Sequence, residues 1–141
     1  MSAHKQSHGF TLVEVLLVLA IIGIISGIAI PSYLGQRRRA RIIGDAQANA
    51  QVLRMQLEAR KSENGIYGTG SCTWTAAGSV LPASNNLIPG FTPKGNSKMD
   101  YNVAIGSTGL TYILTVKDPS ISGSPIAFQT DQTGQVLKKM E

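Results

Sequence analysis

The chain has 141 residues, one domain's worth, with a formal net charge of +5 and 43% hydrophobic residues. Its two histidines are His4 and His8, its acidic residues stand singly, and its one cysteine, Cys72, cannot close an intrachain disulfide. Past residue 8 no histidine is present for a triad, a general base or a metal site, so enzymatic chemistry, a metal and a cofactor are not expected. Most of the Leu, Ile and Val precede residue 31, while the rest is rich in Gly, Ser, Thr and Asn. That asymmetry predicts a greasy rod joined to a small, polar, turn-rich head.

Residues 1–9, MSAHKQSHG, are polar. Phe10 to Ile30 follow as FTLVEVLLVLAIIGIISGIAI, and at about 1.5 Å per residue this run would cover roughly 30 Å as a helix, a bilayer's hydrocarbon core. A secretory signal would have a shorter apolar region ending in a small-x-small site, so retention of this segment is expected. Glu14 is the anomaly: an ionised carboxylate in lipid costs at least about 2.5–3.5 kcal/mol. It either reaches water or caps its own helix, or it meets a cation at the same depth. The run contains no Lys or Arg, but a cut between Gly9 and Phe10 would create a cation, the α-amino group of Phe10. Gly23 and Gly27 form a small-xxx-small pair that lets two helices approach closely. Pro31 lacks the N–H that would bond the Gly27 carbonyl, which predicts a weak point over Gly27–Pro31.

Gly-Phe-Thr-Leu-Val-Glu at Gly9–Glu14, the unbroken apolar helix and Pro31 together resemble the class III signal of type IV pilins and their relatives, the pseudopilins of type II secretion and of DNA uptake. The resemblance is close over roughly the first sixty residues and architectural beyond them. It implies that residues 1–9 are a leader removed by a prepilin peptidase, with cleavage after Gly9 and N-methylation of Phe10. It implies that Glu14 pairs with the N-terminus of a neighbouring subunit during assembly. The implied partners are copies of the chain in a helical filament, the peptidase, an inner-membrane assembly platform, and membrane lipid before assembly. The implied location is a single-pass inner-membrane precursor with its head in the periplasm, then an extracellular pilus. The alternative is a periplasmic pseudopilus that acts as a piston for protein export. Arg37, Arg38, Arg39 and Arg41 follow the run while Lys5 precedes it, so the positive-inside rule alone would leave the head in the cytoplasm. The resemblance implies the opposite orientation and is the longer signal. Arginines at such a boundary meet headgroups, and without interleaved aromatics nucleic acid is not an expected partner.

The rod is expected to comprise an assembly half, residues 10–30, and an amphipathic half, residues 31–64. Ile43, Ala46, Ala50, Leu53 and Leu57 step by three and four along the second half, with Arg41–Asp45 and Arg54–Glu58 as candidate ion pairs and Asn64-Gly65 as a stop. Residues 65–141 would form the head. Gly, Ser, Asn and Pro82, Pro89 and Pro93 predict an irregular connection over 65–99 with Trp74 as a core anchor. Gly68-Thr-Gly70 has neither a strand before it nor a helix after it, so it is not read as a phosphate loop. From Tyr101 the period becomes 2. Tyr101–Ile105, Leu110–Lys117, Ile126–Thr130 and Gln135–Lys138 predict three or four antiparallel strands. Their apolar face would lie on the helix stripe and leave no apolar surface over. The expected class is α+β, a long N-terminal helix packed on a small antiparallel sheet, which is the layout the resemblance also implies. Asp118-x-Ser120-x-Ser122-Gly123 has serines where a calcium loop needs carboxylates.

Overall fold

A computed structural model describes residues 9–140, so residues 1–8 of the expected leader, His4 and His8 among them, lie outside the described residues. Two compact units divide between Arg37 and Arg38. One long helix, α1 (Leu12–Asn64), supplies the first unit and contributes its later turns to the second.

In the first unit, the aliphatic side chains from Leu12 to Ile30 are exposed on every side, with Phe10 at 87% and Ile28 at 75% of full exposure. The segment is long and apolar enough to cross a membrane. α1 continues through Pro31.

The second unit buries Ile42, Ala46, Asn49, Ala50, Leu53 and Leu57 of α1, the expected stripe with two changes. Ile42 rather than Ile43 leads it, and it contains a polar residue, Asn49. The helix ends as its residues dictate. Gly65 takes φ +80°, which glycine adopts without a Cβ clash, and its N–H returns to the Lys61 carbonyl at 2.8 Å.

Six strands form one antiparallel sheet: β1 (Ser71–Trp74), β2 (Val80–Leu81), β3 (Asp100–Ile105), β4 (Tyr112–Lys117), β5 (Ile126–Asp131) and β6 (Val136–Lys139), in the order β2-β1-β3-β4-β5-β6. The four expected strands correspond to β3–β6. The reading of 65–99 as wholly irregular is corrected, because β1 pairs with β3 along its whole length. Register explains why the pattern works. Cys72, Val103, Leu114 and Thr130 stand opposite one another across four strands, as do Trp74, Tyr101, Val116 and Phe128, and all eight are buried. These rows join the α1 stripe in a single core. Trp74 meets Phe91 edge-on at 5.3 Å and Phe91 meets Tyr101 at 5.8 Å, in the offset geometry that ring quadrupoles favour. The other face carries Thr73, Asn102, Thr115, Gln129 and Lys138 in register, with Asn102 donating to Thr73 at 2.7 Å and Gln129 to Thr115 at 3.0 Å.

Further expectations change. Leu110, Ile113, Val136 and Leu137 are exposed, so some apolar surface is left over on the head. The carboxylates expected in helix ion pairs serve the head instead. Asp45 accepts the Ser97 N–H at 3.1 Å, and Glu58 accepts the Tyr67 hydroxyl at 2.6 Å. Asn49 clasps the loop ahead of β3. Its amide nitrogen lies 2.7 Å from the Lys94 carbonyl, 2.8 Å from the Tyr101 hydroxyl and 3.0 Å from the Asp45 carbonyl, and its oxygen accepts the Lys94 N–H at 2.9 Å. A buried polar group is tolerable only when satisfied in this way.

Candidate assembly site

Gly9 and Phe10 are exposed and precede the first turn of α1, so the expected cleavage point lies in non-helical chain. Thr11 and Glu14 close that turn reciprocally. The Thr11 N–H and hydroxyl both donate to Glu14 Oε2 at 2.8 Å, and the Glu14 N–H donates to Thr11 Oγ1 at 3.2 Å. This is a capping box, in which the residue before the helix and the one three further on satisfy each other's backbone donors. Of the readings open for Glu14, capping its own helix is the one realised within the chain. The Thr-x-x-Glu spacing ahead of an apolar run was the available signal, and it makes Thr11 a member of the site that the sequence reading passed over.

Capping engages one carboxylate oxygen, Oε2. A cation approaching the other would meet an acceptor already held in position. Phe10, Glu14, Leu17 and Val18 border one shallow concavity, the acidic group set among apolar neighbours. No charge of opposite sign lies within residues 10–30.

Gly23 and Gly27 are four residues apart in α1, and a Cβ built on either would meet nothing within 4 Å. The fold of this chain therefore does not require glycine at either position. Gly68 is a contrast: it has φ +136° and a built Cβ would strike Leu87 at 2.7 Å, so there the fold itself calls for glycine. Asp118, the first position of the rejected calcium loop, instead accepts the Ser120 N–H at 2.9 Å and the Ser120 hydroxyl.

Residues 4–30 match the prokaryotic N-terminal methylation motif. Among curated proteins, the chain is 27% identical over 104 residues to the type IV major fimbrial protein FimA of Dichelobacter nodosus, covering 71% of this chain and 65% of that protein. It is 34% identical over 108 residues to the type IV major alpha-pilin of Moraxella bovis, covering 67% and 65% respectively. A fimbrial protein of Pseudomonas aeruginosa is 34% identical over 90 residues, covering 64% of this chain and 45% of that one. The chain thus spans 65% of the length of the first two relatives and 45% of the third. No solved structure matches it. The methylation motif and these similarities liken the chain to type IV pilins, and its long N-terminal helix and antiparallel sheet fit that likeness.

Proposed function

We propose that the chain is a structural, non-enzymatic subunit of a type IV pilus, held in the inner membrane by residues 10–30 and drawn from there into a filament of its own copies. The observation that carries this reading is the first unit. An aliphatic helix left uncovered by its own chain begins with a capped acidic residue inside a methylation motif. Lipid covers that surface first, and neighbouring helices cover it in the filament.

In this reading residues 1–9 are removed after Gly9 by a prepilin peptidase and Phe10 becomes the N-methylated first residue. Methylation keeps the amine cationic. The amine of an incoming subunit then pairs with Glu14 of its neighbour, which relieves the cost of a carboxylate in an apolar setting. Gly23 and Gly27 admit close helix approach, and Pro31 marks the stretch that yields under tension. The head remains on the periplasmic side until it reaches the fibre surface.

Two substitutions separate the capping role of Glu14 from its charge. Glutamine can close a capping box and alanine cannot. Both Glu14→Gln and Glu14→Ala are expected to be cleaved normally and to lose at least nine-tenths of surface filaments, roughly a tenfold loss for each 1.4 kcal/mol of pairing. Normal filaments from Glu14→Gln would show that Glu14 acts through capping alone and would overturn the pairing role.

A further inference from the structure

The second unit contains a cavity of about 290 Å³ that no part of this reading uses. Three separate segments build it: Arg38 and Arg41 from α1, Lys98 from the loop before β3, and Asp118 and Ser120 from the turn after β4. It gathers three cations around one carboxylate. Asp118 is 2% exposed, and its Oδ1 is already occupied by the N–H and hydroxyl of Ser120. Arg38 reaches Ser120 Oγ at 3.4 Å, a long contact to a neutral group. Arg41 and Lys98 are exposed and form no ion pair among the described residues. Three cations and a single carboxylate around one concavity leave it net positive, which suits an anion.

Arginine forks and a lysine ammonium are the side chains that recognise phosphate oxygens. Position narrows the source. Arg38 and Arg41 follow Ile30 by eight and eleven residues, roughly 12 and 16 Å along a helix, which sets them outside the hydrocarbon on the side where headgroups lie. We infer that this cavity is a phosphate site that takes the headgroup of an anionic phospholipid while the subunit waits in the membrane. The inference rests on residues 10–30 being a membrane segment, and it assigns a specific task to Arg38, Arg41 and Lys98 beyond general surface attraction.

The full chain in nonionic detergent is titrated separately with inorganic phosphate and with short-chain phosphatidylglycerol, while amide and arginine side-chain resonances are followed by NMR. Saturable shifts are expected at Arg38, Arg41, Lys98 and Ser120 with both probes, the lipid binding more tightly. Lys98→Ala should weaken lipid binding about fivefold, the effect of one cation near a headgroup. Lys138→Ala, which removes an equal charge from β6, should not weaken it, and both variants should melt as the parent does. Shifts with inorganic phosphate alone would overturn the lipid as occupant. No saturable shift, or equal weakening by the two lysine variants, would overturn the site. Alkaline extraction of cell membranes tests the membrane segment separately. Release of the chain there would refute the span, while leaving phosphate binding to stand or fall by the titration.

Discussion

Residues 12–30 and residues 42–57 belong to one helix, and both are well supplied with aliphatic side chains, yet they meet opposite fates. In the first stretch apolar residues occur all round the helix and stay exposed. In the second they fall on one stripe and are buried, several at 0% exposure. A helix apolar all round needs a lipid or protein environment on every side, whereas a striped helix needs one partner surface, which the sheet provides. The contrast separates two kinds of stability: the head holds itself together, and the N-terminal helix depends on what surrounds it.

The same truncation should act very differently in the two stretches. Leu53→Ala or Leu57→Ala should destabilise the head by about 2–5 kcal/mol, the cost of a core cavity. Leu17→Ala and Ile22→Ala should leave the head's stability within about 0.5 kcal/mol of the parent, as surface changes do. Denaturant unfolding of the full chain in detergent, followed by the fluorescence of buried Trp74, measures both. Equal losses from the two stretches would mean that the helix halves do not differ as described.

A smaller effect is expected where the stripe is polar. Asn49→Ala removes the partner of the buried Tyr101 hydroxyl and frees the loop ahead of β3 from its bonds to Lys94. It should cost about 1–3 kcal/mol, the penalty for unsatisfied buried groups, in the same unfolding measurement. Asn49→Leu, which restores apolar volume, should fail to recover that loss. Recovery would show that Asn49 matters by bulk rather than by its hydrogen bonds.

The head should also be sensitive to alkali. Burial, helped by the Glu58 carboxylate, raises the phenol of Tyr67 well above its ordinary value. Burial pushes Tyr101 up to about 12 and raises Tyr112. A raised folded-state value means that the folded head holds these protons more tightly than the unfolded chain does. Their stabilisation is complete below about pH 10, the free tyrosine value, and is lost as pH rises through about 12. Tyrosinate absorbance and strand circular dichroism should therefore change together above pH 10. Full ionisation of the tyrosines near pH 10 with the sheet intact would contradict the packing described.

Legibility in the sequence followed the same division. Unbroken hydrophobicity marked the first half of α1, a 3-4 spacing marked the second, and period-2 alternation marked β3 to β6. β1 escaped because Ser-Cys-Thr-Trp is too short to show a period, and its strand state depends on pairing with β3 some thirty residues later. Asn49 escaped because an amide on a buried stripe makes sense only once Lys94 and Tyr101 stand opposite it. Asp45 and Glu58 were assigned local partners because i,i+4 spacing is visible in sequence and long-range acceptance is not. At the assembly site, Gly9, Phe10 and Glu14 were named from their motif, while the reciprocal bonds between Thr11 and Glu14 required the geometry. The cavity bounded by Arg38, Lys98 and Ser120 is assembled from three distant segments, and only the arginine run announced it.

The central claim, a processed subunit that leaves the membrane for a surface filament, is tested most directly by intact-mass spectrometry of two fractions, filaments sheared from cells and the inner membrane. The account predicts that a chain beginning at N-methylated Phe10 dominates the sheared filaments. The same processed chain confined to the membrane fraction would favour a periplasmic pseudopilus, and an unprocessed chain beginning at Met1 or Ser2 in both fractions would contradict the assembly account outright.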